Sequence, residues 1–435
     1  MKNFLQSNTA RLIIVGMLTL ILLIPLALVR DLIGERAVRQ QEVKDKITAR
    51  WGGPVNLYGP VLKIPYITFE ETVAHNQKTN ETVRQRKAVT QYAYFFPETL
   101  NNKTSVNTEK RHYGYFEAAV YTATLNFDGT FTGPDFAAHD VDPQNVLWEK
   151  ATVMVKSSNL KSIQNAVVVN LNGTLLGLEP QFGEGMHDVL ESRTFDASYL
   201  KNTQAPFSFS ISYRGSDQLY MVPIGKTTTS WMSGNWTSPS FSGHFLPNSK
   251  GAGDGFPATW KILHVNRPFG QQAFGDLPDL SEFAFGVDFS IPVDQYLQNE
   301  RASKYGFLII GLTFLIFFLI QVMSKIRIHV FQYTMIGLAL IMFYTLLLSI
   351  TEHSSFALAY LVSSVAVVAM IAAYSITILK NRKFPAFIGA ALGALYAFIY
   401  VIIRMEDYAL LFGSIGLFAI LGTVMYVSRK IDWGN

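Results

Sequence analysis

The run QYTMIGLALIMFYTLLLSITEHSSF (332–356) is apolar until it stops on Glu352 and His353. A carboxylate beside an imidazole can form an ion pair, pass a proton, or contribute to a metal site, and imidazole titrates near neutral pH. A later connection, RMED (404–407), adds Arg404, Glu406 and Asp407. Two readings of this polar cluster stay open. In one, the five residues face water and headgroups, with Arg404 pairing to Glu352 or Glu406, an exposed pair being worth ~0–1 kcal/mol. In the other, the cluster docks an outer domain or makes a pH-sensitive contact through His353. Direct catalysis is the remaining reading, and the motifs for it are missing. There is no H-E-x-x-H, no G-x-S-x-G, no P-loop and no G-x-G-x-x-G; FGSIG (412–416) has the wrong spacing and GAGDGF (251–256) lacks the flanking strand and helix. The eight histidines never fall at i,i+3 or i,i+4. The chain therefore reads as non-enzymatic, with no catalytic residue, metal or cofactor assigned.

The elements that carry this cluster are membrane helices. Of 435 residues, 49% are hydrophobic and only 16% charged, against roughly a quarter charged in soluble chains. A hydrocarbon core of ~30 Å takes about 20 apolar residues in a helix. Six stretches qualify, at 12–29, 306–323, 332–350, 356–379, 385–403 and 408–427. The first is longer than a signal-peptide core and lacks a small-x-small cleavage site, so it reads as an uncleaved anchor despite Pro25.

Lys and Arg in short loops set orientation. Lys2 and Arg11, Lys325 and Arg327, Lys380, Arg382 and Lys383, and Arg429 and Lys430 alternate with TEHSS and RMED. This places both termini in the cytoplasm, and puts residues 30–304 and the Glu352 cluster on the outer, periplasmic side. The expected organisation is a cytoplasmic N-terminus (1–11), an anchor (12–29), a β-rich periplasmic domain of one or two subdomains (30–304), a five-helix bundle (305–428) and a cytoplasmic tail (429–435). The fold class is thus a membrane protein with six transmembrane α-helices, one plus five, and a large β-rich domain between spans one and two.

Residues 31–304 hold 25 Lys and Arg against 28 Asp and Glu, so the formal charge of +4 belongs to the membrane part. Nucleic acid is excluded as a partner on this ground, and the bilayer is the partner the spans require. With no cysteine, disulfides and thiol chemistry are excluded. Within 30–304, FSFSISY (207–213) and SEFAFGVDFS (281–290) alternate aromatics with small or polar residues, the period of a half-buried strand. VYTATLNFDGTF predicts a hairpin turn at Asp128-Gly129, and VVVNLNGT predicts another at Asn172-Gly173. The pair NFDGT and NLNGT hints at an internal duplication. The polar stretch 31–50 favours continuation of the first helix, ended by WGGPVNLYGP with Pro54 and Pro60.

In the bundle, the spans hold Gln321, Ser and Thr but no Asp, Glu, Lys or Arg at depth, which argues against ion-coupled transport. Gly389 and Gly393 form a small-xxx-small pair, readable as packing within the chain or as a homo-oligomer interface.

Several longer motifs together resemble the CreD family of bacterial inner-membrane, or cell envelope integrity, proteins. They are LIGER, WGGPVNLYGPVLKIPY, YFEAAVYTATL, SPSFSGHFLP, PVDQYLQNERASKYGFLIIGLTFLIFF, QYTMIGLALIMFYTLLLSITEH, EDYALLFGSIGLF and RKIDW, and the likeness covers nearly the whole length. The family pattern has a Pro after the His that opens span three and a Glu late in span two; here Val330 and Gln321 stand there. The resemblance implies an envelope role linked to stress response, colicin tolerance and β-lactam susceptibility, with an envelope component or periplasmic partner, and implies no catalytic residue. Pro239, Phe241, Phe245 and Pro247 are its candidate outer-domain motif, open to a fold-defining or a binding role. The alternative function is a permease or lipid-handling protein that uses the bundle.

Overall fold

The computed structural model describes residues 8–76, 81–113, 116–181, 188–251, 255–289, 295–324, 326–379, 383–405 and 408–429. The chain divides into two compact units, residues up to 42 together with those from 293 onward, and residues 43–292.

Helix α1 (Asn8–Trp51) runs for 44 residues with Pro25 inside it, a length of about 66 Å against the ~30 Å of a hydrocarbon core. The polar stretch 31–50 does continue the first span. The remaining spans are α3 (Gly306–Ser324), α4 (Val330–Thr351), α5 (Phe356–Leu379), α6 (Lys383–Arg404) and α7 (Ala409–Ser428). Between the β unit and α3 lies α2 (Gln295–Lys304), which buries Tyr296, Asn299, Ala302 and Ser303. That spacing is one face of a helix, and α2 lays this face on the bundle. Short connections make α3 to α7 alternate in direction. Hence Gly306, Thr351, Phe356, Arg404 and Ala409 share one end of the bundle. An aromatic knot fills its middle, with Phe343 4.6 Å from Tyr396 and 5.2 Å from Tyr360 between ring centroids. Helix α7 has no buried residue. Its hold on α6 includes a notch at Gly416 that receives the Phe398 ring.

The β unit contains β1 (Val55–Asn76), β2 (Glu81–Phe95), β3 (Thr99–Tyr113), β4 (Phe116–Phe131), β5 (Thr152–Ser157), β6 (Val168–Leu171), β7 (Thr174–Gln181) and β8 (Asp188–Ser192). It continues with β9 (Ala205–Ser216), β10 (Gln218–Met221), β11 (Thr227–Gly234), β12 (Ser240–Gly243), β13 (Ser249–Lys250), β14 (Phe256–Leu263), β15 (Gln272–Phe274) and β16 (Phe285–Asp288). The sheet order is β12-β16-β10-β1-β5-β8-β7-β6-β9-β4-β3-β11-β14-β13, with β2 on β1 and β15 on β2. Strand β7 pairs with β6 through residues 174–177 and with β8 through 178–181, so it joins two halves that share one core. Leu57 and Val153 from one half and Leu125 and Phe209 from the other belong to it. Trp260 on β14 meets Phe285 on β16 at 5.3 Å.

The alternating pattern decides which residues enter. Phe207, Phe209, Ile211 and Tyr213 on β9 are buried while Ser208 and Arg214 are exposed. Phe285, Val287 and Phe289 are fully buried; Phe283, the first of that series, sits in a 3-10 turn and is half-buried. The last turns of α1 are tied to β4 and β9. Trp51 Nε1 donates to Tyr121 O at 3.3 Å, and Thr48 and Ser216 share a hydroxyl contact of 3.0 Å. The guanidiniums of Arg111 and Arg214 lie 4.0 and 4.9 Å from the Trp51 ring.

One expected hairpin forms and the other does not. Asn172 and Gly173 take φ of 50° and 85° and turn β6 into β7, as a two-residue hairpin requires. Asp128-Gly129 is no turn. It lies inside β4, with Gly129 opposite Leu100 of β3 and Phe207 of β9. A Cβ there would come within 2.0 Å of Thr99 O and 2.7 Å of the Phe207 ring. The glycine serves close strand approach, not chain reversal. The NFDGT and NLNGT segments thus occupy different local structures, and their likeness carries no duplication.

Gly129→Ala should therefore destabilise the protein by ~1–3 kcal/mol through overpacking. Gly177→Ala on β7, where a Cβ meets nothing within 4 Å, should be neutral or stabilising by up to ~1 kcal/mol. Urea midpoints of the two variants followed by tryptophan fluorescence check the contrast, and equal midpoints would refute it.

Candidate functional site

At the Thr351 end of the bundle, side chains of α1 reach the residues that end α2 and α4. Glu352 follows the last turn of α4, its N–H donating to Leu348 O at 3.2 Å. Its carboxylate Oε1 lies 3.5 Å from Arg36 Nε, the two side chains being 18% and 43% exposed. The expected partner, Arg404, is instead exposed, with its guanidinium 5.9 Å from the Tyr400 ring. The His353 N–H donates to Ile350 O at 3.0 Å, and the residue is exposed. Glu406 and Asp407 lie outside the described residues.

Arg30, missed by sequence reasoning, supplies the stronger tie. From α1 it donates through Nε and Nη2 to Ser303 O at 3.2 and 2.9 Å, and through Nη2 to Lys304 O at 3.1 Å. Those carbonyls end α2 and have no intrahelical donor, so a cation there satisfies both hydrogen bonding and the helix dipole. The other end of α2 is held by Gln295. In the orientation that satisfies its amide, the nitrogen donates to Thr351 O at 3.0 Å and Ser354 O at 3.1 Å.

In the β unit, a second charged group assembles from strands distant in sequence. Lys63 on β1 sits opposite Thr152 of β5 and Tyr94 of β2. Its Nζ lies 3.0 Å from Glu191 Oε1 on β8 and 4.5 Å from the Tyr92 ring centroid. Thr152 Oγ1 donates to the same Glu191 oxygen. One residue before the end of β5, Lys156 Nζ is 5.9 Å from the Tyr58 ring. Burial pushes the Lys156 ammonium below the usual lysine range, with Asp279 partly restoring it. Burial, then the charges of Glu191 and Asp276, push the Tyr94 hydroxyl up to about 12. The Tyr58 hydroxyl is buried without a hydrogen-bond partner among the described residues, and burial followed by Asp279 raises its pKa. Two ammonium groups, one carboxylate and the Tyr92 and Tyr94 rings offer contacts to a polar ligand, while Tyr58, 3% exposed, lies beneath Lys156.

Phe241 and Phe245 of the SPSFSGHFLP motif pack against the core. Phe241 on β12 lies 6.0 Å from Phe256 and 5.9 Å from Trp260, and Trp260 Nε1 donates to Phe245 O at 3.1 Å. Pro239 and Pro247 flank it half-buried, with Leu246 exposed at 70%.

A family model described as "Inner membrane protein CreD" matches residues 7–434. The Inner membrane protein CreD of Escherichia coli (strain K12) is 32% identical over 422 residues, 95% of this chain and 91% of that protein. The chain belongs to the CreD family. Membership and six apolar helices make it an inner-membrane protein in contact with the lipid bilayer. Its two departures from the CreD pattern noted above now have a local structure. His329 caps α4, with Nδ1 accepting from Phe331 N at 3.2 Å and Gln332 Oε1 accepting from His329 N at 2.9 Å. Val330 is thus the first helical residue, where proline is also favourable. Gln321 is 4% exposed and accepts from the Tyr333 hydroxyl at 3.0 Å, a neutral pair.

Two measurements follow. Arg30→Ala, which leaves two carbonyls without their charged donor, should destabilise the bundle by ~1.5–3 kcal/mol, and Glu352→Gln by at most ~1 kcal/mol; thermal melts in nanodiscs give the order, and a larger Glu352 effect would contradict it. For Lys156, a folded pKa below the unfolded value makes the charged form a cost at neutral pH that vanishes as pH rises through the ordinary lysine range. Lys156→Met should therefore be more stable than the parent at pH 7, with the gap closing by about pH 11. A gap that widens with pH would reverse the assignment.

Proposed function

We propose that this chain is a non-enzymatic envelope-maintenance protein of the inner membrane whose β unit faces the periplasm and binds a polar envelope component at the Lys63–Glu191 patch. Orientation is supported by the short connections. Arg11, Arg327, Lys383 and Arg429 lie at the end of the bundle opposite Thr351 and Phe356, and basic short loops stay in the cytoplasm. The observation that carries the binding role is Lys156, an ammonium held at a cost beside Tyr58, on the strand whose Thr152 lies opposite Lys63, itself paired with Glu191. A cluster kept at the expense of stability marks function more often than folding.

The absence of cysteine makes the orientation directly measurable. A single cysteine at exposed Leu175 or Val265, 71% and 72% exposed, should react with a membrane-impermeant maleimide on intact spheroplasts. Labelling only after permeabilisation would overturn the orientation. In a strain lacking the native chain, Lys63→Ala with Lys156→Gln should lose protection against envelope-directed stress at unchanged protein levels. Full protection by that variant would overturn the binding role.

A further inference from the structure

Helices α5 and α6 part to leave a groove of about 870 Å³. We infer that it is a built site for one membrane phospholipid, an acyl chain lying along the helices and the phosphate held at the Arg404 end.

The walls define the chain's half of the site. Leu361, Val365, Val368 and Ala369 of α5 face Gly393 and Ala397 of α6 across it, and Leu361 and Val365 are 59% and 58% exposed. From Ser355 to Ala372 the groove follows α5 for about 25 Å, more than half of a ~30 Å hydrocarbon core. At that depth the space takes hydrocarbon. The mouth has different chemistry. Ser355 and Tyr400 line it, Phe356 and Tyr400 stack at 6.5 Å, and the exposed Arg404 leans over Tyr400. Aromatic rings at this level mark the membrane interface, and a guanidinium there complements a phosphate. An apolar trough with a cation beside its interfacial end matches an amphiphile with a chain and an anionic head.

A second copy of the chain fits less well. A dimer through Gly389 and Gly393 needs both on one open face, but a Cβ at Gly389 already meets Ala372 of α5 at 3.6 Å, while Gly393 has nothing within 4 Å. The pair is split between a packed contact and the groove. A comparable space of about 850 Å³ between α3, α6 and α7 provides an internal control. The inference rests on the bundle alone and is independent of ligand binding by the β unit.

The test uses the full chain in nanodiscs doped with phosphatidylglycerol carrying a diazirine on one acyl chain, with diacylglycerol bearing the same chain as the headless control. Photo-adducts should concentrate on peptides covering 358–372 and 393–400. Ala397→Leu with Gly393→Leu should lower them by at least about tenfold, whereas Ala394→Leu, in the other space, should leave them unchanged. Arg404→Gln, at the rim and outside the packing, should lower phosphatidylglycerol adducts about fivefold, the worth of one interfacial cation, and leave diacylglycerol adducts unaltered. Adducts spread evenly over all spans, adducts that survive filling of the groove, a headgroup preference indifferent to Arg404, or intermolecular crosslinks through α5 would each overturn the assignment.

Discussion

A polar group left unpaired in hydrocarbon costs several kcal/mol, and a charge costs more, and this constraint orders the whole bundle. Within the spans, several hydroxyls close onto their own helices, as Thr313 does on Ile309 O and Ser375 on Ile371 O, both at 2.6 Å, while among the described residues the Ser363, Tyr344 and Tyr396 hydroxyls are buried without a partner. Tyrosines reach across, Tyr360 to Tyr396 O at 2.9 Å and Tyr333 to Gln321 at 3.0 Å. Full charges are exported to the helix ends. There Arg30, Arg36 and Glu352 tie α1 and α2 to the end of α4 with contacts that hydrocarbon would not tolerate. The rim is polar because the interior is not, and any amphiphile that enters between α5 and α6 must orient by the same rule.

The same constraint explains what could be read in one dimension. A span is a local property of about 20 consecutive residues, so the run read at 332–350 is found at Val330–Thr351 and that at 356–379 at Phe356–Leu379. Which charges meet at the rim is not local. Glu352 finds Arg36, a residue on the far side of the whole β unit in sequence, while nearby Arg404 turns to Tyr400. Proximity along the chain favoured the wrong cation. The signal for Arg30 was present, an arginine where the apolar run of α1 ends, but its acceptors are backbone carbonyls of α2 that no pattern announces.

In the β unit, alternation revealed the inward face of β9, because burial on one side of a pleated strand leaves a period of two. It could not reveal pairing. β1 lies parallel to β10 and β3 parallel to β11, connections far longer than a hairpin. The Asp128-Gly129 misreading has the same origin. A glycine after Asp is a turn when its φ must be positive, as at Gly173, and a strand residue when neighbouring chains leave no room for a Cβ. Only the tertiary structure distinguishes the two demands. The Lys63 patch draws on four strands, with Lys63 and Glu191 separated by 128 positions, and no spacing rule spans such a gap.

Two cations in the β unit show how buried charge can serve different ends. Arg267, 6% exposed, is pushed down to about 10 by burial, yet its guanidinium donates to Phe269 O at 2.8 Å and to Gly270, Ile224 and Gly225 carbonyls at 3.3 Å. Those bonds bind the segment after Asn266 to residues 224–225, so the desolvation is offset by structure and the charge belongs to the fold. Lys156 also loses hydration, but among the described residues its ammonium meets a tyrosine face at 5.9 Å and no hydrogen-bond acceptor. The charge of Asp279 offsets only part of that loss. Under the binding role proposed above, an external group would complete the lysine's hydrogen bonds, with the exposed Tyr92 ring beside the same patch.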